Sequence, residues 1–320
     1  MTRPGRLVAQ VRSGGHALSS VRIVARCVAL TAQANGWSVV DFCPGDAQDD
    51  WGTADPSGLG ALPPGTPVVL HLGTGDDTHL AALDPSPPGP VLLVHHGGTA
   101  APAMASTWRS GAVAGVTLGD DDHRALEPIA GAWKPFGRGA WKRLSDALVP
   151  DAVESALLAA HQGPHVTASG PLDTADTARW VAMASALVHE LRPDATVAIL
   201  PAGPDEPRAG PARQIAELGL ASCQLASDAT APVAISHLRV PGVYLRGPGD
   251  AVDPMAGLAR AQGSRIVAPE GSPDADTHYD PTSIASVAAA VDVALDLPRN
   301  VPIERPDDTW LWPLFSATAS

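Results

Sequence analysis

Short apolar runs bounded by Gly, Pro and Asp alternate along this chain with stretches whose apolar residues recur every three or four positions. Leu7 to Val11 is the first such run. A Ser-Gly-Gly turn follows, and then Val21, Val24 and Val28 share one helical face, which Ile23, Cys27 and Leu30 widen. Asn35-Gly36 ends that helix and Ser38 to Phe42 reads as the next strand, so the unit is βαβ and its strands are expected to be parallel. Further buried strands are predicted at Val68 to Leu72, Val91 to Val94 and Val113 to Leu118. A second alternating block then follows. Strands are expected at His165 to Ser169, Ala195 to Leu200, Gly242 to Leu245 and Arg265 to Ala268. Helices are expected at Ala175 to Leu191, Pro211 to Leu218, Asp253 to Gln262 and Pro281 to Leu295. The pattern predicts an α/β protein of two Rossmann-like domains, 1–150 and 151–297, facing across a cleft. Residues 298–320 form a tail whose Trp310-Leu-Trp-Pro-Leu-Phe315 is too apolar for free solvent and is expected to pack back on a domain.

Composition narrows the partners. The 320 residues carry a formal charge of -13, so no overall positive field draws in a nucleic-acid backbone or an anionic bilayer. Residues 133–143, WKPFGRGAWKR, are a basic, aromatic island, expected as a solvated face with anchoring aromatics rather than a nucleic-acid site. No unbroken apolar stretch approaches the roughly 20 residues of a membrane span, and the N-terminus lacks a signal-length apolar run, so a cytoplasmic protein is expected. Cys27, Cys43 and Cys223 are far apart and form no CxxC pair; they are expected as reduced core residues.

Candidate chemistry sits at the predicted strand ends. Gly14-Gly15 follows the first strand, where a loop without Cβ atoms lets backbone N–H groups and a helix opening at Ser19 or Ser20 approach an anion; an ordinary βα turn is the other reading. His95-His96 ends another strand, and adjacent residues on an extended chain point to opposite sides, so at most one of the two faces a site. They lack a third ligand at metal-site spacing. Asp120, Asp121 and Asp122 suit helix capping, while Asp49-Asp50 and Asp76-Asp77 read as solvated loop charges. Nucleophilic hydrolysis has little support: there is no G-x-S-x-G elbow, and Gly163-Pro-His165 and Ser236-His237 stand as isolated pairs.

The order of these motifs resembles, over most of the chain, the glycosyltransferases of GT-B fold, specifically the retaining family 4 type that uses nucleotide-sugar donors. The resemblance implies that Gly14 and Gly15 approach the donor phosphates and that His95 or His96, in Val91-Leu-Leu-Val-His95-His96-Gly-Gly-Thr-Ala-Ala-Pro102, orients an acceptor hydroxyl or a sugar group. Val166-Thr-Ala-Ser169-Gly170-Pro171-Leu172 is similar to the family's strand-Gly-Arg-Leu element, with Pro171 in the place of the Arg. No cation stands at Asp173 to Asp176, where a Lys follows in the family, and Arg179 lies one turn into the helix. The stretch 243–268 aligns with the family's E-x7-E element, the first Glu falling on Asp250 and the second, a ribose ligand, on Leu258. Pro269-Glu-Gly-Ser-Pro273-Asp274 is similar to the family's Gly-x-Pro-Glu loop, and Asp280-Pro281 matches the turn before its long C-terminal helix.

The implied site has His95, His96 and Asp250 as catalytic residues. Gly14, Gly15, Ser169, Gly170, Arg246, Gly249 and Arg265 bind the donor, with Arg246 or Arg265 supplying the lost cation. A nucleotide sugar is the co-substrate, no metal or other cofactor is expected, and the acceptor is a small molecule or glycan. A protein partner or a homo-oligomer is compatible with the apolar tail. The implied function is sugar transfer from a nucleotide sugar. Two alternatives are a catalytically inactive relative that binds a sugar, a nucleotide or a partner, and a nucleotide-sugar epimerase working by proton transfer with carboxylates and a His.

Overall fold

β1 (Arg6–Val11) opens the chain, α1 (Ser20–Ala34) crosses over, and β2 (Trp37–Phe42) lies parallel to β1 with Arg6 opposite Trp37 and Val11 opposite Phe42. The βαβ start is therefore as expected, and Gly36 at φ 79 makes the turn between helix and strand, a conformation that costs glycine least. The computed structural model describes residues 6–12, 20–43, 53–54, 56–72, 87–96, 112–117, 133–135, 141–143, 146, 150–160, 162–170, 175–201, 223–225, 231–248, 253–272, 275–305, 309–311 and 315–316. The chain divides into two compact units, one of Met1–Gly15, Ser20–Arg143 and Pro306–Ser320, the other of His16–Ser19 and Leu144–Arg305.

In the first unit β3 (Thr53–Ala54), β4 (Val68–Leu72), β5 (Val91–His95), β6 (Ala112–Thr117) and β7 (Trp133–Pro135) complete a parallel sheet in the order β3-β2-β1-β4-β5-β6-β7. Ala9, Val11, Phe42, Val68, Leu70, Leu72, Val91 and Leu93 pack on one face of it, against Leu59 of a 3-10 turn at Pro56–Ala61. Strand succession reverses between β1 and β4, the place where loops diverge and open parallel sheets take ligands. The basic island contributes β7 to the sheet, and its Trp141 is buried, so part of it is framework rather than a solvated face. In the tail, Phe315 stacks on Trp37 at 4.7 Å between ring centroids and Leu311 is buried, both within the first unit.

The second unit has α2 (Ala152–Ala160), β8 (His165–Gly170), α3 (Ala175–Leu191), β9 (Thr196–Pro201), β10 (Cys223–Leu225), α4 (Ala231–Arg239), β11 (Val243–Arg246), α5 (Pro254–Ala261), β12 (Arg265–Pro269), β13 (Thr277–Tyr279) and α6 (Ile284–Asp296). Its parallel sheet runs β10-β9-β8-β11-β12-β13, with the reversal between β8 and β11. Val181, Ala184 and Val188 of α3 and Val287, Val291 and Ala294 of α6 cover one face in a single apolar cluster. Asp253 caps α5, with Pro254 at its first turn, and Ser283 caps α6. That cap explains why the last helix starts at Ile284 and not at Pro281: Asp280 and Thr282 are held in a turn by hydrogen bonds to the Asp280 carboxylate. The second unit extends to Arg305 rather than ending at 297, because the Asn300 side chain donates to Ser264 O (2.8 Å) and Ile303 N to Ala261 O (3.0 Å). The predicted helix at Pro211 to Leu218 lies outside the described residues. Among the described residues no helix is long and apolar enough to cross a membrane.

Candidate functional site

Polar residues stand at or just past the carboxyl ends of some strands in both sheets, among them Arg12 after β1, His95 and His96 at the end of β5, and Arg246 at the end of β11. In the first unit Ala9, Val11, Leu70, Leu72 and Leu93 face the apolar cluster, so strand alternation places Gln10, Arg12, Asp41, His71 and His96 on the other face. They bond to one another there. Arg12 donates to Asp41 Oδ2 from Nε (2.8 Å) and Nη2 (2.7 Å), with side chains 1% and 5% exposed. The His71 ring lies 3.0 Å from His96 (Nδ1 to Nε2) and 3.4 Å from Gln10 (Nε2 to Oε1). An amide oxygen only accepts, so His71 carries its proton on Nε2 and accepts at Nδ1, which makes His96 the donor from Nε2.

Burial, and then the Arg12 charge, pull His71 down to about 3; burial, with His71 and His95 nearby, holds His96 well below its ordinary value. The pair is neutral at physiological pH. His95 points to the opposite side, the side of Val91 and Leu93, so of the two adjacent histidines His96 joins the polar face. No motif or spacing in the sequence marks His71, Gln10, Arg12 or Asp41. A lone polar residue inside an otherwise apolar strand, as in Val-Val-Leu-His-Leu, was the available signal.

In the second unit the reversal point brings together Ser169, Gly170 and Arg246. Arg246 ends β11 directly opposite Ser169 in register, and Gly170 is the last residue of β8. The guanidinium of Arg246 donates from Nη1 to Ser272 Oγ (3.3 Å), in the turn after β12 that Gly271 makes at φ 87. The Tyr279 hydroxyl donates to the carbonyl of Arg246 (2.7 Å), and burial pushes the Tyr279 phenol up, so it stays protonated. The Tyr244 hydroxyl donates to Asp253 Oδ2 (2.6 Å), whose other oxygen accepts from Met255 N (2.9 Å). Leu258 is 1% exposed, on the buried side of α5. Gly14, Gly15, Gly249 and Asp250 lie outside the described residues.

Arg265 requires a correction. It is the first residue of β12, at the amino edge of the sheet, and its guanidinium donates to the carbonyls of Gly242 (3.2 Å), Leu295 (2.8 Å) and Leu297 (2.7 Å). It ties the end of α6 to the start of β11, and its place and hydrogen bonds make it a structural group rather than a donor ligand. The same edge holds His165 and His237, 3.4 Å apart, with Glu154 Oε1 2.9 Å from His237 Nε2. Burial lowers His237 against the opposing pull of Glu154. Ser236 accepts from Ser155 (3.2 Å) and donates to Asp151 O (3.2 Å), so the histidine pairs that looked isolated join in fastening α2 to α4. Among the described residues no group of three or more His, Cys, Asp or Glu is arranged to hold a metal ion.

No family model and no curated sequence matches this chain. Solved structures do. A UDP-forming α,α-trehalose-phosphate synthase from Burkholderia xenovorans aligns at TM-score 0.58 and 11% identity, covering 98% of this chain and 95% of that one. Anabaena HepE in complex with UDP and glucose aligns at TM-score 0.56 and 10% identity over 98% and 94%. The UDP-GlcNAc 2-epimerase of Methanocaldococcus jannaschii, in complex with UDP-GlcNAc and UDP, aligns at 0.58 and 9% over 94% and 97%. With two parallel-sheet α/β units and these likenesses along nearly its whole length, the chain has the GT-B fold.

Proposed function

We propose that this protein is a glycosyltransferase that takes its sugar from a nucleoside-diphosphate sugar, with the donor diphosphate at the carboxyl edge of the second sheet. One observation carries the proposal: Arg246 stands at the strand-order reversal, in register with Ser169 and beside Gly170. Loops after the strands diverge at such a point, and a cation there meets the charge that grows on a leaving diphosphate. In the transfer the bond from sugar C1 to the distal phosphate oxygen breaks, C1 bonds the acceptor hydroxyl oxygen, and the hydroxyl proton passes to the departing diphosphate. Arg246 takes the role that an Arg after β8 fills in the family, where this chain has Pro171. Gly249 and Asp250, which follow Arg246 by three and four residues in the chain, are further candidates for the donor.

A second reading, binding without transfer, is favoured by Leu258: the position aligned with the family's ribose ligand is an alkyl group inside the core. One experiment separates the two. Calorimetry with UDP-, ADP- and GDP-sugars is expected to show saturable binding of at least one, weakened at least tenfold by Arg246→Ala. Turnover of the bound donor with an acceptor panel of sugars and polyols follows if transfer is the function. Binding without consumption of donor supports the second reading, and no nucleotide binding contradicts both.

A further inference from the structure

We infer that Tyr279 and Ser272 are positioning residues that aim Arg246 at the phosphate next to the sugar; the inference rests on the nucleotide-sugar proposal above. An arginine at a strand end has several rotatable bonds, and a freely turning guanidinium loses much of its attraction to the cost of being ordered. Here it is held at both ends. The β11–β12 ladder stops at Leu245 opposite Val267, so Arg246 lies one residue beyond it. Tyr279 reaches the Arg246 carbonyl from β13 through its hydroxyl at 2.7 Å, and the tyrosine is 0% exposed with Trp180 tilted against its ring at 5.4 Å. This fixes the last peptide of β11 and with it the direction in which the side chain leaves the sheet.

At the other end Ser272 Oγ accepts from Nη1 at 3.3 Å, and Ser272 is itself located by a hydrogen bond between its carbonyl and His278 Nε2 at 2.8 Å. A planar fork held at its main chain and at one nitrogen keeps one heading, which is the geometry that recognises a phosphate rather than merely neutralising it. Nothing in the strand pattern requires this arrangement: Ser272 lies in a turn, and a phenylalanine would fill the space of Tyr279 equally well.

The test is a titration of UDP, ADP and GDP, each beside its monophosphate, against the full chain and its variants. Tyr279→Phe and Ser272→Ala are each expected to weaken the bound diphosphate about five- to tenfold, the equivalent of one lost hydrogen bond, and to change the monophosphate less than about twofold. Ser272→Thr keeps the hydroxyl acceptor and is expected to keep the affinity. Equal losses for mono- and diphosphate, or losses shared by Ser272→Thr, overturn the positioning role. If Tyr279→Phe fails to fold, the two Ser272 variants decide. Diphosphate binding that falls with Arg246→Ala but not with Ser272→Ala or Tyr279→Phe overturns this inference alone. Absence of diphosphate binding, or its indifference to Arg246→Ala, overturns the donor proposal and this one with it.

Discussion

Two arginines, Arg246 and Arg265, are equivalent candidates in the sequence, and the structure puts Arg246 at the carboxyl edge of the second sheet and Arg265 at the amino edge, clamped to backbone carbonyls. Replacing each by Met keeps most of the alkyl stem and removes the charge. Arg265 is 6% exposed and donates to three backbone carbonyls, those of Gly242, Leu295 and Leu297. Losing a donor from a buried acceptor costs about 1–3 kcal/mol. The two carbonyls at the end of α6 can recruit water once the guanidinium is gone, so the sum falls well short of three full penalties, and Arg265→Met is expected to cost about 3 kcal/mol. For a unit of this size that lowers Tm by about 6–12 °C. Arg246 donates to the half-buried hydroxyl of Ser272, and Arg246→Met is expected to cost less stability than Arg265→Met. Guanidinium denaturation of both variants, followed by UDP titration of the folded protein, gives a crossed outcome: Arg265→Met unstable but binding, Arg246→Met stable but not binding. An Arg265→Met protein with wild-type unfolding and lost nucleotide affinity refutes the assignment.

Stability should fall in mild acid. The folded pKa of His71 is held down to about 3 and that of His96 well below normal, whereas the unfolded chain takes up protons near 6.5, so it binds more protons in between. The stabilisation is complete above about pH 6.5 and lost as pH falls below it; denaturation at pH 7 and pH 5 should differ by on the order of 3 kcal/mol, with His71→Gln recovering about half, and a flat profile contradicts the neutral pair. Asp41→Asn leaves the Arg12 guanidinium buried without its carboxylate and should cost about 3–5 kcal/mol, most of it regained in Arg12→Met/Asp41→Leu; a single-variant loss under about 1 kcal/mol would mean the pair is solvated. Gly242→Ala drives a Cβ into the carbonyl of His165, backbone against backbone, and should destabilise the second unit by about 2–4 kcal/mol or prevent folding, as read from thermal melts; an unchanged melt refutes the close approach.

Much of the fold was legible where the sequence carries a period. The helix of Val21, Val24 and Val28 follows from the spacing of its apolar residues, whereas Val91 to Val94 and Arg265 to Ala268 are short unbroken apolar runs that read as strands from their length and from the Gly and Pro that flank them. β3, β7, β10 and β13 are two or three residues long and show no period; they exist because a neighbouring strand offers them hydrogen bonds. α2 escaped notice for another reason: Ala and Leu surround it on every side, only Leu158 is buried, and polar bonds from Glu154 and Ser155 help hold it in place.

The site was legible in part. Glycines, histidines and arginines at strand ends stand out in the sequence, but their chemistry alone does not tell which end of a strand matters. In a parallel sheet the residue that opens one strand and the residue that closes its neighbour lie at opposite edges. That rule alone separates Arg265, which opens β12, from Arg246, which closes β11. His71 was hidden inside an apolar strand, and only the neighbours Gln10 and His96, 61 and 25 residues away in sequence, reveal it as part of a polar chain.

The central claim is that a nucleoside diphosphate sits at the carboxyl edge of the second sheet. Hydrogen–deuterium exchange with and without saturating UDP, ADP or GDP tests it most directly. Protection is expected in peptides spanning 166–170, 243–248 and 269–272, with little change at 162–165 and 263–265. Protection confined to the amino edge, around His165 and Arg265, or protection nowhere with any of the three nucleotides, contradicts it.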